Sequence, residues 1–221
     1  MFKLSHAIVF AIALFVTAPA HAQTFAFGGS SGAGAMTLYF ADGTSEVIGA
    51  TDQGWWSPTE SNFRGNTNTI TGTCFGIQWN DFFVFNLTAH AGTVVAASLD
   101  VDTWSVAGAP SVSLWDVSTP LATLDNLDAG PSAATYADLG SGTRFSNGYS
   151  VVASNTMAAI PLDSAGIAAV NGSLGGTFAI GGSANLPVPE PAPAWLLAVA
   201  LAGLGAVRYR PRQAAKRSAL S

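Results

Sequence analysis

Three tryptophans and two aspartates are the side chains whose types and spacing best suit this sequence to hold a ligand. Trp55 and Trp56 stand side by side in Gln53-Gly54-Trp55-Trp56-Ser57-Pro58, a loop-like setting, and Trp104 follows later in the chain. An indole held at the surface offers a flat apolar face to a pyranose ring, so these three are the candidate sugar-binding residues. Asp100 and Asp102 are separated by one residue, and hard carboxylate oxygens suit calcium. Asp81 and Asp116 extend that set, although no Asp-x-Asp-x-Asp-Gly loop is present. The expectation is no cofactor, the acids forming a solvated face, with calcium as the alternative.

Catalytic constellations are scarce. His6 and His21 fall in the first 22 residues, which leaves His90 in the turn-like Thr88-Ala89-His90-Ala91-Gly92, with no Gly-x-Ser-x-Gly elbow for a hydrolytic triad. One histidine and one cysteine cannot build a zinc site. Asp100 and Asp102 share a strand face about 7 Å apart, a permissive but unspecific spacing for the carboxylate pair of glycoside hydrolysis. The expectation is therefore a non-enzymatic interaction module. A polysaccharide-active enzyme using carboxylates and a purely structural matrix protein are the alternatives. Cys74, the single cysteine, excludes an intrachain disulfide and is expected to be buried in a strand.

The elements that must position these residues read as β-structure. Short segments rich in β-branched and aromatic residues recur between Gly, Pro, Asn and Asp: Met36–Phe40, Cys74–Trp79, Phe82–Leu87, Val94–Trp104, Val112–Val117, Ser150–Ala153 and Thr177–Ile180. Spacings of this kind predict an all-β, antiparallel sandwich, jelly-roll-like, over residues 36–186, preceded by a Gly/Ser-rich segment at 23–35. The period of two puts Phe83, Phe85 and Leu87 on one face and Phe82, Val84 and Asn86 on the other, so that strand is central. Leu99, Val101 and Thr103 oppose Asp100, Asp102 and Trp104, which predicts one wet face. Trp79 and Trp115 are expected in the core. One short helix is predicted near Asp163–Asn171, with Asp163 as N-cap and Asn171-Gly172 as the stop.

The chain's 221 residues carry 8 Lys+Arg against 13 Asp+Glu, and only 10% are charged, against about a quarter in ordinary domains. So few cations cannot neutralise a phosphate backbone, which excludes nucleic acid as a partner. The cations also cluster at the ends. Residues 1–22 carry Lys3, an apolar run from Ala7 to Val16 and Ala20-His21-Ala22, the three-part pattern of a secretory signal peptide. At the other end Val188-Pro189-Glu190-Pro191 precedes a charge-free stretch, 192–207, and a basic tail, 208–217, with Arg208, Arg210 and Arg212. Those parts read as a stiff linker, a membrane-inserting helix and a positive-inside anchor.

The order Val-Pro-Glu-Pro, hydrophobic helix and Arg-rich end over 187–217, together with the leader, closely resembles the PEP-CTERM sorting signal of exported proteins from Gram-negative bacteria that make extracellular polysaccharide. The resemblance implies export across the inner membrane, transient anchoring in it through a transmembrane helix at 192–207, processing near the Pro-Glu-Pro by an exosortase-type protease, and delivery to the cell surface or biofilm matrix, with exopolysaccharide or other matrix components as partners. The order of strand-like segments from 74 to 182 also looks like the β-sandwich ectodomain of many such proteins, and more loosely like jelly-roll carbohydrate-binding modules. With both ends removed, residues 23–189 hold Arg64 and Arg144 against twelve acids, a net charge of −10. Such a surface favours basic partners or cations such as calcium, and an anionic polysaccharide would need a cation bridge or neutral sugar units to bind it.

Overall fold

The computed structural model describes residues 23–28, 34–61, 67–125 and 130–185. The signal peptide, the Val188–Pro191 motif, the 192–207 helix and the basic tail lie outside the described residues.

Among the described residues the order is β1 (Thr24–Gly28), β2 (Ala35–Phe40), β3 (Ser45–Gly49), β4 (Asp52–Trp56), β5 (Thr69–Cys74), β6 (Ile77–Asn86), β7 (Val94–Thr103), β8 (Ser105–Ala107) and β9 (Ser111–Asp116). Then come α1 (Leu121–Leu124), α2 (Ala133–Asp138), β10 (Arg144–Ser150), β11 (Thr156–Pro161), α3 (Ser164–Ser173) and β12 (Thr177–Asn185). The domain is thus mostly β, as the segment pattern predicts. The larger sheet runs β10-β9-β12-β6-β5-β1-β8, with β4 also paired to β6, and the smaller runs β11-β7-β2-β3. Every pairing is antiparallel.

Strand β6 is central because both its faces are apolar. Phe83, Phe85 and, just past its end, Leu87 enter the main core, where they join Met36, Leu38 and Leu99 of the small sheet and Val112, Leu114 and Ile180 of the large one. Phe82 and Val84 point away from that core and are covered by Trp56, Leu124 of α1 and Leu139 beyond α2. Each such aromatic contributes about 1.5–3 kcal/mol by leaving water, so β6 anchors two cores at once.

Several expectations need correction. Cys74–Trp79 is not one strand: β5 ends at Cys74, β6 begins at Ile77, and Phe75-Gly76 forms the turn between them. Gln53–Trp56 belongs to β4 rather than to a loop, because Asp52–Trp56 pairs with β6 along its length. Of Ser150–Ala153 only Ser150 lies in a strand, as the last residue of β10, and the next strand starts at Thr156. Two short helices join the predicted one. The third, α3, is capped as read, the Asp163 carboxylate accepting from the amides of Ala165 and Gly166. It runs on to Ser173, since the Asn171 side chain is engaged elsewhere: it accepts from Val94 N and donates to Val94 O, both at 2.9 Å.

A candidate ligand-binding groove

The groove starts from the registers of β1, β5 and β6. Phe25 lies opposite Gly72, Phe27 opposite Ile70, and Gly72 opposite Trp79. Facing residues in an antiparallel pair project to one side, so the Phe25-x-Phe27 alternation adds two rings to the face that carries Ile70, Cys74 and Trp79. These residues form a small apolar cluster of their own. Gly72, with a φ of +106°, lets β1 approach closely, since a side chain there would collide with the Thr24 carbonyl oxygen.

Two further tryptophans build the walls. Trp55 of β4 meets Trp79 edge to face, centroids 6.3 Å apart and planes at 86°, and its indole nitrogen donates to Asn68 Oδ1 at 3.2 Å. Trp104 is the single residue between β7 of the small sheet and β8 of the large one. At that corner its ring stays 58% exposed and leans on Phe27, centroids 5.4 Å apart at 61°. With Phe75, and with Glu60, Asn68 and Ser105 as polar groups, the residues line an open groove of about 370 Å³. That volume lies within the range of small-molecule sites, about 300–1,000 Å³.

Of the three candidate sugar-binding residues the structure therefore brings together Trp55 and Trp104 and removes Trp56. The last is fully buried in the second core against Phe82 and Val84, because successive side chains of β4 point to opposite faces. Trp79 is buried as expected, but it floors the groove. Trp115 is half-buried, donating to Ser183 Oγ at 2.8 Å. Phe25, Phe27 and Phe75 were not singled out by sequence reasoning. The period-two Phe-x-Phe of β1 was a usable signal for the first two, whereas Phe75 reads as part of a strand in the sequence.

Phe75 occupies an unusual backbone position. It and Gly76 have φ of +50° and +80°, the two positive values of a type I′ hairpin turn, where Asn-Gly is the favoured pair. Glycine fills the second position without strain. A phenylalanine in the left-handed region costs about 1–2 kcal/mol, and its ring, 84% exposed, recovers little of that by packing.

The aspartates are placed apart from the groove. Asp100 is half-buried on β7 and its two oxygens accept from Thr37 Oγ1 and from Ser98 Oγ. Asp102 is half-buried on the same strand, and Asp116 accepts from the Thr143 amide at 2.6 Å. Among the described residues no three His, Cys, Asp or Glu side chains gather as a metal-sized group.

Asp81 is the exception in kind. It is buried on β6 opposite Gly182, and a side chain on Gly182 would collide with its Oδ1. That oxygen has no hydrogen-bond partner. Burial pushes the carboxyl up from 3.8 to about 8, so at neutral pH it is mostly a protonated acid. It borders a water-sized internal cavity of about 20 Å³ shared with Thr69 and Thr71.

His90 sits in the turn after β6 and pairs through Nδ1 with the Glu46 carboxylate of β3. Cys74 is buried and free, and desolvation raises its thiol above the ordinary value. Comparisons with protein families, curated proteins and solved structures returned no match.

Proposed function

We propose that this chain is an exported cell-surface or biofilm-matrix protein whose β domain, a jelly-roll-like sandwich, binds carbohydrate without catalysis. The observation that carries the binding part is the convergence of Trp55 and Trp104, 49 positions apart in the chain, on one aromatic groove with a polar rim of Glu60, Asn68 and Ser105. Aromatic faces with a few polar groups suit a sugar, which is apolar across its ring face and polar around its edge. Among the described lining residues Glu60 is the one carboxylate, whereas most glycoside hydrolases use two. Exopolysaccharide is the partner this reading favours.

The sorting part rests on the leader and on Val188-Pro189-Glu190-Pro191, the charge-free stretch 192–207 and the basic tail. Mass spectrometry of the protein from its native host tests it directly. A mature chain beginning at Gln23 and ending within 187–191 supports export and exosortase-type processing. Intact Met1 and Ser221 termini overturn it. For the binding part, the domain should be retained on a column of the host's own exopolysaccharide, and passage without delay counts against it.

A further inference from the structure

We propose that Phe75 is a ligand-contact residue, an aromatic clamp that closes over a neutral saccharide held in the groove. The inference rests on the sugar-binding reading of that groove and adds to it the residue that caps the ligand and the charge class of the ligand.

Three observations meet at this residue. The β5–β6 hairpin turns in two residues, from Cys74 to Ile77, and both turn residues have positive φ. Asn, Asp or Gly fits the first of those positions far better than a phenylalanine does. The ring is 84% exposed, so the folded protein gains little from it, and it stands in the lining of the groove with Trp55, Trp79 and Trp104. A side chain held in a disfavoured conformation at the rim of a cavity points to a role in what the cavity holds. A phenyl ring closing over a bound sugar would remove apolar surface of both from water.

Charge selects the occupant. Glu60 is the only charged side chain among the described lining residues, and the thiol beneath stays protonated because burial raises it. A uronate would bring a second carboxylate beside Glu60 with no cation among those residues to offset it. A neutral hexose unit avoids that repulsion.

The test uses protein purified from cells expressing the full chain, as wild type, Phe75→Asn and Phe75→Trp. Each is titrated calorimetrically with neutral gluco-, galacto- and manno-hexasaccharides and with a galacturonate hexasaccharide, and thermal unfolding is recorded in parallel. Wild type is expected to bind at least one neutral sugar and to bind galacturonate more weakly. Phe75→Asn should weaken neutral binding roughly five- to tenfold while Tm holds or rises by about 2 °C, and Phe75→Trp should keep binding within about twofold. Unchanged affinity in Phe75→Asn, or a Tm several degrees lower, overturns the clamp while leaving the sugar reading intact. Galacturonate bound as tightly as the neutral sugars overturns the charge class. Absence of binding to every neutral sugar overturns clamp and groove reading together.

Discussion

Trp104 leans edge to face on Phe27, ring centroids 5.4 Å apart at 61°, and so ties the corner between β7 and β8 to the opening strand of the domain. Neither ring lies in the main core. The contact instead shapes a wall of the groove and leaves the indole 58% exposed. Positions 27 and 104 meet because β1 pairs with β8 as well as with β5, Phe27 facing Ser105 in the first register.

Asp81 makes stability depend on pH. Its folded value of about 8 lies above the ordinary 3.8. Between those values the unfolded chain releases a proton that the folded chain keeps, so the unfolded state binds fewer protons. Stability is then greatest below about pH 4 as far as this group is concerned, falls by up to about 1.4 kcal/mol per pH unit, and levels off above about pH 8. Asp81→Asn should remove that decline, which urea unfolding at pH 5 and pH 8 reads directly. Parallel wild-type and variant profiles would contradict the burial of an ionisable group there.

Asn171 should matter more than its polarity suggests. Its amide accepts from Val94 N and donates to Val94 O, so α3 supplies β7 with the pairing that a neighbouring strand would otherwise give. Asn171→Ala leaves both backbone groups without a partner, at about 1–3 kcal/mol for a buried unsatisfied group. The N-cap change Asp163→Ala should cost about 1 kcal/mol. Thermal unfolding ranks the two, and an Asn171→Ala protein as stable as wild type would show the bridge to be unimportant.

The reach of the sequence is clearest in β6. Its two apolar sets, Phe83, Phe85 and Leu87 against Phe82 and Val84, divide between two cores as the period of two requires. Asp163 was readable for a similar local reason, because an N-cap uses amides only two and three residues away. What alternation cannot supply is which apolar residue will be covered from outside. Trp55 and Trp56 look equivalent in sequence, yet α1 and the end of α2 place Leu124 and Leu139 over Trp56. Those helices span four and six residues, too short to show a helical period. The Phe75-Gly76 turn was hidden by composition, since an aromatic residue in that place reads as strand. The groove itself depends on pairings between residues tens of positions apart, such as Phe27 with Ile70, and no local pattern encodes them.

Cys74 should behave as an inert thiol despite lining the groove. It is 7% exposed, and burial raises its thiol, which lowers the thiolate fraction near neutral pH. Iodoacetamide should modify the native protein far more slowly than the urea-unfolded chain. Equal rates in the two states would show that the floor of the groove is open to reagents.

The binding role of the groove is tested most directly by comparing wild type with Trp104→Ala in tryptophan-fluorescence titrations with the same neutral hexasaccharides. Trp104 is exposed and outside the main core, so its removal should leave Tm nearly unchanged. The expected result is a saturable fluorescence change in wild type and an affinity about tenfold lower in the variant, equivalent to about 1.4 kcal/mol. Identical titration curves for the two proteins would contradict a carbohydrate-binding role for this groove.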